Sequence, residues 1–221
     1  MAGIYLHIPF CKSRCVYCGF YSSTHLGLRR RYVDALCREM ALRHDYLSEP
    51  VTTIYLGGGT PSQLSVGQLH QLFQQLMEVF RIFEGQLEEV TIECNPDDVT
   101  DELATALQSL PVNRVSMGAQ TFSDERLRFL RRRHTARQTA LAVERLRQAG
   151  ISNISIDLMY GFPGETLLAW ESDITTVLQL GVEHISSYCL MIEEGTPLHQ
   201  MLHNVPAPLC NEELEREMYY T

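Results

Sequence analysis

Gly3-Ile4-Tyr5-Leu6-His7-Ile8, then Pro9-Phe10, then Cys11-Lys12-Ser13-Arg14-Cys15-Val16-Tyr17-Cys18, reads as a short β-rich run that opens into a loop crowded with thiols. Five more β-rich runs follow, at Thr52–Leu56, Glu89–Cys94, Asn113–Met117, Asn153–Met159 and His184–Met191. Helical patterns separate them. Leu28, Tyr32, Leu36 and Met40 recur every fourth residue within 28–47, and Leu69, Leu72, Phe73, Leu76, Met77 and Phe80 form one apolar stripe. Thr100, Ser123 and Thr135 are placed to cap helices over 101–110, 124–130 and 136–149, and Gly150 to stop the last of these. A further helix is expected over 167–180, ending at Gly181. Strand and helix alternating at this spacing predict an α/β protein of βαβ units with a parallel sheet. The pattern is compatible with an open doubly wound sheet and with a partial barrel.

After Met191 the character changes. Glu193–Pro197 reads as a turn and Pro206-Ala207-Pro208 as a linker, and Asn211 caps a helix that runs into Thr221. A chain that stops inside a helix has the look of a truncated one. The domain expectation is therefore a core over 1–191, with 192–221 as a linker and the start of a C-terminal helical region.

The chain has 221 residues, 45% hydrophobic and 20% charged, the composition of a globular protein with one sizeable core. No apolar run approaches the roughly 18 residues that cross a bilayer. No basic segment followed by an apolar one opens the chain, so the expected location is cytoplasmic. The net charge of −9 argues against a broad grip on nucleic acid. Arg29-Arg30-Arg31 and Arg131-Arg132-Arg133 read as solvated helix faces or ends, with Arg132 set apart by what surrounds it.

Seven cysteines, an odd number with one tight cluster, are not a disulfide framework. Cys37, Cys94, Cys189 and Cys210 are scattered and read as small apolar residues. The spacing C-x3-C-x2-C lets three thiolates of one loop reach three corners of an iron–sulfur cubane, with no fourth cysteine nearby to close it. An open iron is the mark of a catalytic rather than a structural site. The competing reading is a zinc ion completed by His7 or His25, but zinc sites favour a second paired element, and the chain has none.

Tyr5-x-His7-Ile8-Pro9-Phe10-Cys11-x3-Cys15-x-Tyr17-Cys18-x-Phe20 resembles the opening of the radical S-adenosylmethionine (radical SAM) group that contains oxygen-independent coproporphyrinogen III oxidases and heme chaperones of the HemW type. Further motifs match in order along the chain. The resemblance implies a partial (β/α)6 TIM-like barrel of parallel strands, with a [4Fe–4S] cluster on Cys11, Cys15 and Cys18 and S-adenosylmethionine on the free iron. It places Tyr5, Tyr17, Gly58, Gly59, Thr60, Glu93, Gln120, Arg132 and Asp157 at the cofactor.

The residues support this independently, one by one weakly and together better. Gly57-Gly58-Gly59-Thr60-Pro61 can bring backbone close to a ligand, or can be an ordinary tight turn. Glu93, Gln120 and Asp157 lie at or near the carboxyl ends of successive strands, where parallel sheets carry their sites. Arg132 offers a fork suited to a carboxylate. Gly161-Phe162-Pro163-Gly164-Glu165 resembles the family's turn near the adenine, and a simple strand-to-helix turn explains it as well.

Within the group, coproporphyrinogen oxidases carry a segment before the first strand and a further cysteine after the triad. Here the first cysteine is residue 11, and Phe20 stands at the further position. Both departures resemble the heme chaperones. The expected partners are then heme or a porphyrin, an acceptor protein, and an electron donor such as flavodoxin or ferredoxin. The alternative is oxidative decarboxylation of coproporphyrinogen III to protoporphyrinogen IX. The chaperones' H-N-x-x-Y-W heme motif has no match in 1–221 and is expected beyond Thr221; His199 and His203 are expected to be solvated loop residues rather than heme ligands.

Overall fold

The computed structural model describes residues 1–83, 85–203 and 210–221; the Pro206–Pro208 linker expectation lies outside them. Six strands, β1 (Ala2–Ile8), β2 (Val51–Gly58), β3 (Glu89–Cys94), β4 (Arg114–Gln120), β5 (Asn153–Tyr160) and β6 (His184–Cys189), form one sheet. Their spatial order is their chain order, β1 to β6, and every neighbouring pair is parallel. The helices are α1 (Arg29–Leu42), α2 (Val66–Val79), α3 (Asp101–Gln108), α4 (Asp124–Phe129), α5 (Ala136–Gln148), α6 (Leu167–Gln179), α7 (Pro197–His203) and α8 (Glu212–Tyr220).

The strand order decides between the two architectures the sequence allowed. Right-handed crossovers that always step the same way put every helix on one face of the sheet. A doubly wound sheet must reverse its stepping to cover both faces. With no reversal, the sheet curls into a partial barrel whose edges are β1 and β6.

Side chains alternate across a strand. Leu6 and Ile8, Ile54 and Leu56, Val90 and Ile92, Val115 and Met117, and Ile154, Ile156 and Leu158 are all buried in the main core. The alternate set, Tyr5, His7, Thr53, Tyr55, Thr91, Glu93, Ser116, Asp157 and Ser186, is polar and faces the concave side. β4 breaks its register between Gly118 and Gln120, and Gln120 takes a φ of 69°. A bulge of this kind re-aims a side chain, here that of Gln120 at the mouth of the barrel.

The helix starts follow local chemistry. Thr100, Ser123, Thr135 and Asn211 each accept a backbone N–H in the first turn, as expected, and so do Ser65 and Thr166. Two expectations need correction. α1 closes at Leu42, where Arg43 N–H reaches back to Glu39 and Met40, and the chain turns before Pro50. Residues 197–203 form α7, so His199 and His203 are helical rather than in a loop. Pro197 supplies the fixed φ of a first helical residue, and the Thr196 hydroxyl accepts from His199 N–H. After α7, α8 packs on α6: the Trp170 indole donates to Met218 O at 2.9 Å, and Met218 is buried in the main core.

Leu72 on α2 has no exposed surface, whereas Leu42 at the end of α1 is 82% exposed. Leu72→Ala is expected to cost about 2–5 kcal/mol and to lower the thermal midpoint by roughly 5–15 °C. Leu42→Ala is expected to stay within about 0.5 kcal/mol. Circular dichroism melts of both variants check this.

Candidate metal and cofactor site

The carboxyl ends of the strands open into a cavity of about 410 Å3. Cys11, Cys15, Cys18, Tyr17, Gly58, Gly59, Thr60, Glu93, Gln120, Arg132 and Asp157 all line it. Of the residues that the resemblance places at the cluster and the cofactor, Tyr5 alone is not on its wall. Tyr5 is 56% exposed near the edge, stacked on Tyr55 with its hydroxyl 3.2 Å from His7 Nδ1.

The cysteine loop is closed at its base by two backbone bonds, Cys11 N–H to Ser23 O (3.0 Å) and Ser23 N–H to Pro9 O (2.6 Å). Its middle is pinned by Val16, which has no exposed surface and packs in a second core with Leu130, Met159, Phe162, Leu190 and Leu198. Val16 N–H donates to Leu130 O, and Val16 O accepts from Leu198 N–H. All three cysteines are free and partly exposed. Among the described residues no group of three or more His, Cys, Asp or Glu side chains is spaced to hold a single metal ion. The three thiols line one cavity.

The glycine loop follows β2 and lies against the segment that enters the cysteine loop. A Cβ on Gly59 would meet Pro9 C, Ile8 O and Phe10 N at 2.8, 2.9 and 3.0 Å. Only a glycine lets these two backbones touch. Gly58 has a φ of +113°, and a Cβ there would meet the His7 ring at 2.5 Å. Glu93 holds the loop in place, accepting from Gly58 N–H (3.0 Å) and from the Tyr55 hydroxyl (2.8 Å). Those two donors answer the cost of carrying a carboxylate in an apolar strand.

Two donors face the thiols. The Thr60 hydroxyl donates to Cys11 Sγ at 3.5 Å, and Arg132 Nη1 donates to Cys15 Sγ at 3.4 Å. Arg132 Nη2 donates to Asn95 Oδ1 (2.7 Å) and to Gly118 O (2.6 Å), so the guanidinium is held on three sides. Burial and the Arg132 charge push the His134 ring down to about 3, and this neutral ring reaches Ala119 O. Burial pushes Asp157 up to about 6; the Glu93 carboxylate adds to this, and hydrogen bonds from Ser186 and Ser116 oppose it.

Asn95 was not singled out in the sequence, yet it lines the cavity and joins Arg132 to Thr60, donating to the Thr60 hydroxyl at 3.2 Å. The signal available was its place, two residues past Glu93, in the turn Asn95-Pro96-Asp97-Asp98.

Comparison with known proteins shows the family and the fold. The sequence matches the Radical SAM superfamily over residues 5–177. It is 38% identical over 216 residues to the heme chaperone HemW of Lactococcus lactis, covering 97% of this chain and 56% of that one. It is 38% identical over 222 residues to the HemW of Bacillus subtilis, covering 99% and 58%. The structure of the Escherichia coli coproporphyrinogen III oxidase HemN, described as a radical SAM enzyme, superposes with a TM-score of 0.88 at 26% identity, covering 99% of this chain and 50% of that one. The chain thus spans about half the length of the relatives it matches.

Three variants of the metal-free chain have expected outcomes. Asp157 holds its proton more tightly folded than unfolded, so its contribution is fully present below about pH 4 and is lost as pH rises through about 6. Between those limits the stability difference is expected to move in favour of Asp157→Asn by about 2–3 kcal/mol, read from urea unfolding; a pH-independent difference would refute it. Gly59→Ala is expected to destabilise by roughly 1–3 kcal/mol, because backbone must move. Gly67→Ala on α2 meets nothing within 4 Å and is expected to be neutral or stabilising by up to about 1 kcal/mol.

Proposed function

This chain belongs to the Radical SAM superfamily, and from that premise we propose that it is the S-adenosylmethionine-binding core of a heme chaperone of the HemW type. The observation that carries the cofactor part is the shared wall: Cys11, Cys15 and Cys18 line one cavity with Gly58, Gly59, Thr60, Glu93, Gln120, Arg132 and Asp157. In this reading the three cysteines hold a [4Fe–4S] cluster, one thiolate short of the four that close such a cluster. Tyr17 and the seven other wall residues surround the S-adenosylmethionine, with Tyr5 reaching it from the β1 edge.

When bound, the pair supplies one-electron reductive cleavage of the sulfonium bond of S-adenosylmethionine. The chain's own residues do the rest. The Thr60 hydroxyl and Arg132 Nη1 donate to the Cys11 and Cys15 sulfurs and so orient them toward the cavity. Glu93 fixes the glycine loop, whose missing side chains leave room at the wall. Asp157, ionised above about pH 6, presents an acceptor on the concave face. Tyr17 is held neutral by burial and covers the loop between Cys15 and Cys18.

The chaperone reading rests on the two HemW relatives at 38% identity and on Phe20, which stands where the oxidases carry a further cysteine. Residues 1–191 are then the core and 192–221 the entry to a C-terminal region. Heme, an acceptor protein and a flavodoxin- or ferredoxin-type electron donor are the implied partners, in the cytoplasm; among the described residues no helix is long and apolar enough to cross a membrane. The second reading is oxygen-independent coproporphyrinogen III oxidase, favoured by the close superposition on HemN.

Anaerobic reconstitution is expected to give about four irons and four sulfides per chain, and Cys15→Ala to lose most of them. The full-length protein is expected to retain a heme Soret band through gel filtration and to leave coproporphyrinogen III unchanged. Formation of protoporphyrinogen IX would replace the chaperone reading with the oxidase one.

A further inference from the structure

Outside the cavity wall, one buried carboxylate joins three segments that form the wall. Asp98 ends the Pro96–Asp98 turn after β3, and its side chain is 2% exposed. Its Oδ1 accepts from Lys12 Nζ at 2.8 Å and from Arg133 Nη2 at 3.3 Å. Its Oδ2 accepts from the Ser62 hydroxyl at 3.1 Å and from Gln63 Nε2. Lys12 lies between Cys11 and Cys15, Ser62 and Gln63 follow Thr60, and Arg133 follows Arg132.

We propose that Asp98 is a positioning residue that locks the cysteine loop, the glycine loop and the Arg132 segment into one register before any cofactor binds. The argument is one of valence. An ionised carboxylate is an acceptor-only group with about four lone-pair sites, and here four donors occupy them. No other side chain of this size can accept all four. Asparagine keeps a single acceptor oxygen, so its NH2 would face either the Lys12–Arg133 pair or the Ser62–Gln63 pair of donors; Arg133 has a second carboxylate in Asp97 at 2.7 Å. The bonds to Lys12 and Arg133 are charge-assisted and, at a buried oxygen, shielded from water on the Asp98 side. Sites held within fractions of an ångström need support of this kind behind the residues that touch the ligand. The cysteine loop needs it most, because residues 11–22 contain no regular element.

The inference rests on the cofactor reading for its importance but not for its test, which uses the metal-free chain. In Asp98→Asn, amide hydrogen exchange is expected to quicken about tenfold or more at 11–18, 61–64 and 131–134, with β3 and β5 unchanged. In Lys12→Ala, which cuts one tether, the change is expected at 11–18 alone. After reconstitution, Asp98→Asn is expected to lose iron to a chelator several-fold faster than the parent chain. Unchanged exchange in the three segments would overturn the proposal. So would acceleration spread equally through β3 and β5, which marks global destabilisation instead. The iron count of the unsubstituted chain separately tests the cluster reading.

Discussion

A parallel strand that buries one set of side chains under helices must turn the alternate set the other way, and in this sheet every strand turns that set into the same concave space. The stepping order β1 to β6 makes this unavoidable, because it leaves no helix to cover the second face. The register then stacks polar residues across the strands: Glu93 beside Ser116, Gly118 beside Asp157, Asp157 beside Ser186. The cavity wall is thus the unavoidable reverse of the hydrophobic core.

Polar groups gathered in this way need partners, and the two carboxylates answer differently. Glu93 takes a tyrosine hydroxyl and a backbone N–H, so its site and its support are the same contact. Asp157 meets the Ser186 and Ser116 hydroxyls, the Glu93 carboxylate and the more distant Arg114 charge, and burial dominates its protonation. Its carboxyl therefore changes charge near pH 6 on the concave face of the sheet.

Much of this was legible in the sequence because the decisive signals are local. The strands announce themselves as β-rich runs, the helix starts by caps such as Ser123 and Thr135, and the cysteine triad by spacing within one loop. What escaped is what depends on contacts distant in the chain. Asp98 meets partners 35, 36 and 86 residues away, and nothing in Asn-Pro-Asp-Asp tells which donors will arrive. Arg132 could be placed near the ligand, but not its bond to Cys15, 117 residues apart. The strand order, which separates the partial barrel from the doubly wound sheet, is likewise absent from any single βαβ unit; it came from the resemblance.

α7 shows why a short unforeseen helix can matter to a distant loop. Seven residues offer little periodicity, so Pro197–His203 carried no clear pattern. Yet Leu198, with no exposed surface, fills the second core beside Val16, and its N–H donates to Val16 O. Val16 sits between Cys15 and Tyr17. The thiols at the amino end are therefore held from two sides: by Asp98 through Lys12, and by α7 through Val16. A loop with no regular structure gains a fixed shape only when separate elements constrain it at separate points, since each constraint removes different freedom from the same backbone. The segment after β6 is thus a structural part of the thiol-bearing site, even though it contributes no thiol to it.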